Sequence, residues 1–271
     1  MRREARDALR RLAAGRRVGD ESVHEARKAL KRARAALRLL RPRLGARAYR
    51  RENHALRDAA RPLSMLRDAR ILLDTLEELV REAPPHDRTA LRRVAPELER
   101  HRDNVRRRWL EKDDPWKDVE KELRAGRRRA AGWKLGGHGW AALGRGLERT
   151  YRAGREAFEK ASRAPTAGNL HEWRKQSKYL WHQLQFLEPA RPRALRKLAD
   201  RAHELSERLG KDHDLVVLRP RLRRRDLMEH VDRARAQLQE QALALGAQIY
   251  AETPPRFAKR IERYWRSWRR S

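Results

Sequence analysis

The sequence contains no cysteine, which excludes a disulfide framework, thiol catalysis and thiolate metal sites. No stretch approaches the ~18 consecutive apolar residues that signal a membrane span. Met1-Arg2-Arg3-Glu4-Ala5-Arg6 is not followed by the apolar segment of a signal peptide. Together these absences set the expectation of a soluble, cytoplasmic protein. Alternating strand patterns and Asn-Gly or Asp-Gly hairpin turns are missing too, which argues against a β-fold. No glycine-rich phosphate loop opens a helix, and no carboxylate cluster suited to magnesium stands on the basic segments, so a phosphate-metabolising enzyme finds little support. Negative charge is also short. Against 69 Lys and Arg stand 38 Asp and Glu, a formal net charge of +31 and a pI near 11.5. That excess is larger than solubility requires and predicts a polyanionic partner: nucleic acid, polyphosphate or an acidic membrane surface.

What remains is rich in Ala, Leu, Arg, Glu and Lys, all good helix formers. Its 271 residues suffice for one large domain or two of ordinary size, and a hydrophobic share of 39% suffices for packed helices. Helices are predicted over about 2–14, 22–41 (ended by Pro42), 46–82 (kinked or divided at Pro62), 87–111 and 115–130. Gly132, Gly136, Gly137 and Gly139 mark the main boundary. Further helices are predicted over 140–163, 167–188, 191–209 (ended by Gly210), 212–225, 226–251 and 255–269.

Two stretches organise this plan. His24-Glu25-Ala26-Arg27-Lys28-Ala29-Leu30-Lys31 and His171-Glu172-Trp173-Arg174-Lys175-Gln176-Ser177-Lys178 both read H-E-x-R-K-x-x-K, 147 residues apart. The match extends to Leu37 and Leu184, Leu40 and Leu187, and Pro42 and Pro189. At an offset of 146, Asp58 matches Glu204 and Arg67-Asp68 matches His213-Asp214. A repeat this long indicates duplication, with the first copy over 1–131 and the second over 132–271. Each copy reads as antiparallel helices, in the manner of a four-helix bundle with extra pieces.

What repeats most strictly is basic. On the first helix Val23, Ala26, Leu30, Ala33, Leu37 and Leu40 form a packing face, while His24, Arg27, Lys28, Lys31, Arg34 and Arg38 form an adjoining row. The second helix offers His171, Arg174, Lys175, Lys178 and His182. Spacings of three, four and seven place such groups on one face. Arg presents a fork of donors and Lys a compact charge, both suited to phosphate oxygens. A histidine in the first turn adds a donor where the helix dipole attracts anions. Asp58, Asp68, Glu204 and Asp214 are expected to pair with the cations of the neighbouring helix and hold them in position. Asp212-His213-Asp214 lacks a second ligand set at zinc-like spacing, so no metal site is assigned.

The duplicated His-x-x-Arg-Lys-x-x-Lys, with Leu209-Gly210-x-x-His213-Asp214 and Tyr151-Arg152-Ala153-Gly154-Arg155, resembles the CHAD domain, the conserved histidine α-helical domain. The first copy departs from it with Leu63-Ser64 where Leu-Gly is expected, and the second carries Trp181 where the first has Arg34. The resemblance covers nearly the whole chain. It implies an all-α fold of two pseudo-twofold-related four-helix bundles forming one unit around a basic groove or pore. It implies binding of long-chain inorganic polyphosphate without catalysis or cofactor, with Arg155 joining the basic rows. Phosphate or sulfate ions would occupy the same site, and association with polyphosphate granules is compatible with it.

Simpler readings stand beside this one. A row of Arg and Lys on one helix is most often a solvated face, and duplication is what argues otherwise. A nucleic-acid-binding protein is the main rival, supported by charge and by Trp133, Trp140, Trp173, Trp181 and Trp265, which could stack bases. Trp173 takes the position of Ala26 and is expected to pack. Trp265, Arg266, Trp268, Arg269 and Arg270 form a terminal cluster that reads as an interaction tail or a bundle edge.

Overall fold

The computed structural model describes residues 20–111, 115–133, 135 and 137–270. The helix expected over 2–14 lies outside them. The described residues are helical throughout, with no strand among them. In order they form α1 (Asp20–Leu44), α2 (Ala46–Glu82), α3 (Pro85–Arg92), α4 (Ala95–Leu110), α5 (Pro115–Ala131), α6 (Trp140–Arg163), α7 (Ala167–Leu187), α8 (Pro192–Leu218), α9 (Arg225–Ile249) and α10 (Pro254–Trp268). Short 3-10 turns follow α7 at Glu188–Ala190 and α8 at Arg219–Arg221.

Four boundaries differ from the sequence expectation, each for a physical reason. Proline does not end α1: Pro42 sits in its last turns, where one lost hydrogen bond costs little, and the helix reaches Leu44. Pro62 does not divide α2, because Ala59 before it and Leu63 after it are buried, as are Leu72, Leu73, Leu76 and Leu79 further on. Packing outweighs the local break. The stretch 87–111 is two helices, since Pro96 lacks the N–H that a continuous helix would need. Gly210 does not stop α8, which runs on to Leu218.

The core consists of three clusters. Ala26, Leu30, Ala33, Leu37, Tyr49, Leu56, Leu63, Trp109 and Leu123 belong to the first, built from α1, α2, α4 and α5. The second is larger, centred on Tyr151, Trp173, Leu180, Leu205 and Phe257, and joins α6, α7, α8, α9 and α10. The third takes Leu72, Leu76 and Leu79 from α2, Leu91 and Leu98 from the short helices, and Leu215, Leu218, Leu227 and Val231 from α8 and α9. It therefore joins helices from both sides of the glycine-rich stretch at 132–139.

The basic helices meet near their middles. Gln183, fully buried, donates to the carbonyl of Ala35 at 3.2 Å and to Thr150 Oγ1 at 3.0 Å, tying α7 to both α1 and α6. The approach of α6 to α1 is so close that a Cβ on Gly146 would lie 1.9 Å from the carbonyl oxygen of Leu39. These contacts explain why α1 buries Ala29, Ala35, Ala36 and Leu39 as well as the expected positions, while Leu40 is only partly covered. It packs against α2, α6 and α7 together.

Two buried carboxylates clip outer helices to inner ones. Glu52 of α2, 1% exposed, receives Arg129 of α5 through two hydrogen bonds of 2.8 and 3.0 Å. Asp212 of α8 accepts from Arg235 at 3.1 Å and Gln239 at 2.8 Å on α9. A carboxylate in such surroundings needs its partners to offset the loss of water.

Candidate functional site

The repeated motifs bring four cations together. Arg27 and Lys31 on α1 lie within electrostatic reach of Arg174 and Lys178 on α7. Arg27 is held firmly, donating from Nη1 to the carbonyls of Leu63 at 3.1 Å and Ser64 at 3.0 Å, with Asp68 Oδ1 at 3.4 Å. Its side chain is only 11% exposed. Arg174 lies against Gly210 of α8, where a Cβ would come within 3.1 Å of its Nη2. Gly210 and Ser64 are repeat equivalents, so each guanidinium seats on the same turn of the following helix. The Leu-Gly pair that looks like a helix stop in sequence is instead a seat for an arginine.

Lys31 has an opening to water but is crowded by protein on its flanks, and Lys178 is half-buried. The crowding sets their electrostatics. Burial and then the charge of Lys178 bring the Lys31 amine down to about 7, with Arg27 and Arg174 adding to the effect and Asp68 opposing it. Burial and then Arg174 bring Lys178 down to about 8, against Glu207 and Asp214. Asp214 is raised to about 6, chiefly by burial, with Arg174 and Lys178 pulling the other way and Asp68 and Glu207 adding to the rise. The site is thus a concentration of like charge partly desolvated by the fold.

His24 and His171 stand at the motif heads, both exposed. Burial lowers the His24 imidazole, followed by Lys28 and Arg67; burial also lowers His171, followed by Lys175 and Arg174. His171 meets His213 with ring centroids 4.8 Å apart. Since His213 is the repeat equivalent of Arg67, the pairs His24/Arg67 and His171/His213 correspond. His213 is likewise lowered, first by burial and then by Arg174. The 146-residue offset that matches Asp68 to Asp214 matches Arg67 to His213 as well.

The other expected residues fall into several settings. Lys28 pairs with Glu25 at 2.9 Å and Lys175 pairs with Glu172, so the glutamates of the motif engage the lysine three residues on. Arg38 lies over the Tyr179 ring at 3.9 Å, and Arg34 at 6.0 Å, with Arg34 Nε also donating to Asn53 at 3.4 Å. His182 is buried, its Nδ1 3.1 Å from Gln185 Oε1 and its ring against Trp181; burial lowers it to about 4. Arg155 donates to the Glu252 carbonyl at 3.0 Å and to Glu159 at 3.1 Å, beside Tyr151, whose hydroxyl donates to the carbonyls of Ile249 and Glu252. Arg155 therefore fastens the turn between α9 and α10. Asp58 pairs with Arg57 at 3.0 Å and Glu204 with Arg208 at 3.2 Å, contacts along their own helices rather than across to the basic rows.

The tryptophans divide between packing and surface. Trp173 is fully buried as expected, and Trp181 stacks on His203 with centroids 3.9 Å apart. Trp140, Trp265, Arg266, Arg269 and Arg270 border a shallow surface cleft. Among the described residues, no group of three or more His, Asp or Glu is placed to hold a metal ion, and no helix is long and apolar enough to cross a membrane.

No curated protein matches the chain in sequence. The CHAD domain, a family known for binding polyphosphate, matches residues 1–223 and so takes in both basic motifs and both seats for their arginines. On that match, the chain belongs to the CHAD domain family.

Proposed function

We propose that this protein binds long-chain inorganic polyphosphate, without catalysis, along a track whose two walls are α1 and α7. The observation that carries the reading is the convergence of Arg27, Lys31, Arg174 and Lys178 from the two repeated motifs, with too little negative charge around them to balance it. Like charges held this close raise the free energy of the empty site. A linear polyanion relieves that repulsion while giving the guanidiniums paired oxygens to bind.

In this reading the two copies, 1–131 and 132–271, are related by a pseudo-twofold axis that passes between the basic helices. Contacts one residue from reciprocal support it. Arg38 of α1 lies over Tyr179, the repeat equivalent of Arg32, and Arg32 lies over Phe186, next to Gln185, the equivalent of Arg38. The second half-site differs, with His213 for Arg67 and Trp181 for Arg34, so the walls are related rather than identical. Free phosphate and sulfate would occupy the same positions weakly. A cytoplasmic location and association with polyphosphate granules are compatible with this ligand.

Nucleic acid is the weaker partner here. Tyr179 and Trp181 are covered by Arg38 and His203, which leaves little ring surface beside the four cations for base stacking. The test is a titration with long-chain polyphosphate, tripolyphosphate and single-stranded RNA of matched charge. Long polyphosphate should bind tightest, with affinity falling steeply as salt rises. Replacing Arg27, Lys31, Arg174 and Lys178 together by Ala should abolish the preference. RNA binding as tight as polyphosphate would sink the reading, and release of phosphate from tripolyphosphate would revive an enzymatic one.

A further inference from the structure

We propose that the side-chain amines of Lys31 and Lys178 are acylation sites for acyl phosphates, and that acylation switches the cation cluster off. This rests on the reading of the cluster as a phosphate site, and it adds a covalent chemistry to it.

Geometry separates these two lysines from the others of the motif. Lys28 and Lys175 are engaged by Glu25 and Glu172. Among the described residues, by contrast, no carboxylate stands within ion-pairing distance of the Lys31 or Lys178 ammonium. Arg27 and Arg174 are near enough to act electrostatically on both amines, so a phosphate held by a guanidinium presents a group attached to it to a neighbouring amine. Lys31 is open to solvent, which lets a small electrophile enter.

Protonation favours the same two groups. Lys31 faces Arg27 on its own helix, Arg174 and Lys178 on α7 and Asp68 on α2. Lys178 faces Arg174, Arg27 and, on α8, Glu207 and Asp214. Burial and the cations outweigh the acids, at about 7 and about 8 respectively. An ordinary lysine, near ~10.4, is almost wholly protonated at neutral pH and has no lone pair to offer.

The reaction balances without a further reagent. The amine lone pair attacks the carbonyl carbon of the acyl phosphate. An N–C bond forms, the C–O bond to phosphorus-bound oxygen breaks, and the phosphate leaves with that electron pair. The proton lost by nitrogen passes to the departing phosphate, which diffuses away as inorganic phosphate. The product is an uncharged amide. Each acylation removes one positive charge from the track and fills part of it with an acyl group.

The test exposes the full chain to acetyl phosphate at pH 7.4 and follows each lysine by peptide mass spectrometry. Lys31 and Lys178 should acetylate roughly tenfold faster or more than the exposed Lys160, Lys197 and Lys259, since one pKa unit is a tenfold change in neutral fraction. The preference should shrink at pH 10.5, close to the ordinary lysine value. Equal rates at pH 7.4 would overturn the proposal. The double variant K31R/K178R keeps both charges but has no amine to acylate, so whatever polyphosphate affinity it has untreated should be left unchanged by acetyl phosphate, while the natural chain loses affinity. If it loses affinity on treatment as the natural chain does, acylation is not the switch. Added long-chain polyphosphate separates the two readings. Selective acetylation without protection by polyphosphate leaves the acylation proposal standing and counts against the polyphosphate track. Polyphosphate binding that depends on Arg27 and Arg174, with no lysine preference, does the reverse.

Discussion

The guanidinium of Arg174 occupies the space that a side chain on Gly210 would claim, with Nη2 only 3.1 Å from where a Cβ would stand. Helix propensity and site geometry therefore pull in opposite directions at this residue. Gly210→Ala should add ~0.5–1 kcal/mol to stability through the helix interior, because the far end of a flexible arginine can shift. The same shift should weaken polyphosphate binding by about tenfold, the scale of one displaced charge-assisted hydrogen bond. Urea denaturation and a binding titration on one preparation would check both signs.

Gly146 presents the contrasting case. The atom facing it is the backbone carbonyl of Leu39, 1.9 Å from a built Cβ, and a carbonyl within α1 cannot move aside cheaply. Gly146→Ala should cost at least ~2–3 kcal/mol by forcing α1 and α6 apart. A fall in the urea midpoint with little change in slope would confirm it.

Asp68 touches Arg27 only at 3.4–3.5 Å and is itself 66% exposed, whereas the Leu63 and Ser64 carbonyls hold the same guanidinium at 3.1 and 3.0 Å. Removing the acid's charge should leave Arg27 in place and make the track more positive. Asp68→Asn is expected to tighten polyphosphate binding about two- to threefold, the scale of a partly exposed ion pair. A loss of affinity would instead give Asp68 the orienting role expected from sequence.

The lysines make stability depend on pH in a defined direction. With folded values of about 7 for Lys31 and about 8 for Lys178, the unfolded chain, near ~10.4, binds more protons between those limits. Stability of the free protein should therefore rise as pH rises from about 7 to ~10.4, and the charge penalty should be fully present below pH 7. Bound polyphosphate favours the ammonium forms, so binding near pH 8 should take up protons. Calorimetric titrations in buffers of different ionisation heat would register that uptake as a buffer-dependent enthalpy.

Much of this was legible in the sequence, and the limits are physical. Helix content followed from composition, and Trp140–Arg163 and Ala167–Leu187 were placed almost to the residue because clear breakers flank them. Pro62 and Gly210 misled because propensity is local, while the burial of Leu63 and the seat of Arg174 come from helices distant in sequence. The motif identified Arg27, Lys31, Arg174 and Lys178 through repetition. It did not reveal that Lys28 and Lys175 are engaged by their own glutamates, nor that Arg155 fastens the α9–α10 turn. Those distinctions depend on which rotamer meets which neighbour. The third core cluster was invisible for a related reason: Leu76 and Leu218 read as members of separate copies, and only folding unites them.

The match to the family ends at residue 223, yet the second core cluster continues through Ala242, Ile249, Tyr250, Phe257 and Ile261. Tyr151 stacks on Phe257 at 3.9 Å and donates to the chain at Ile249 and Glu252. The boundary of family likeness is thus not a boundary of folding. A chain stopped at 223 would expose Tyr151 and one side of Trp173, the residue at the centre of the second basic motif. The last two helices, which carry none of the four cations, act as the lid on the apolar side of the wall that presents half of them.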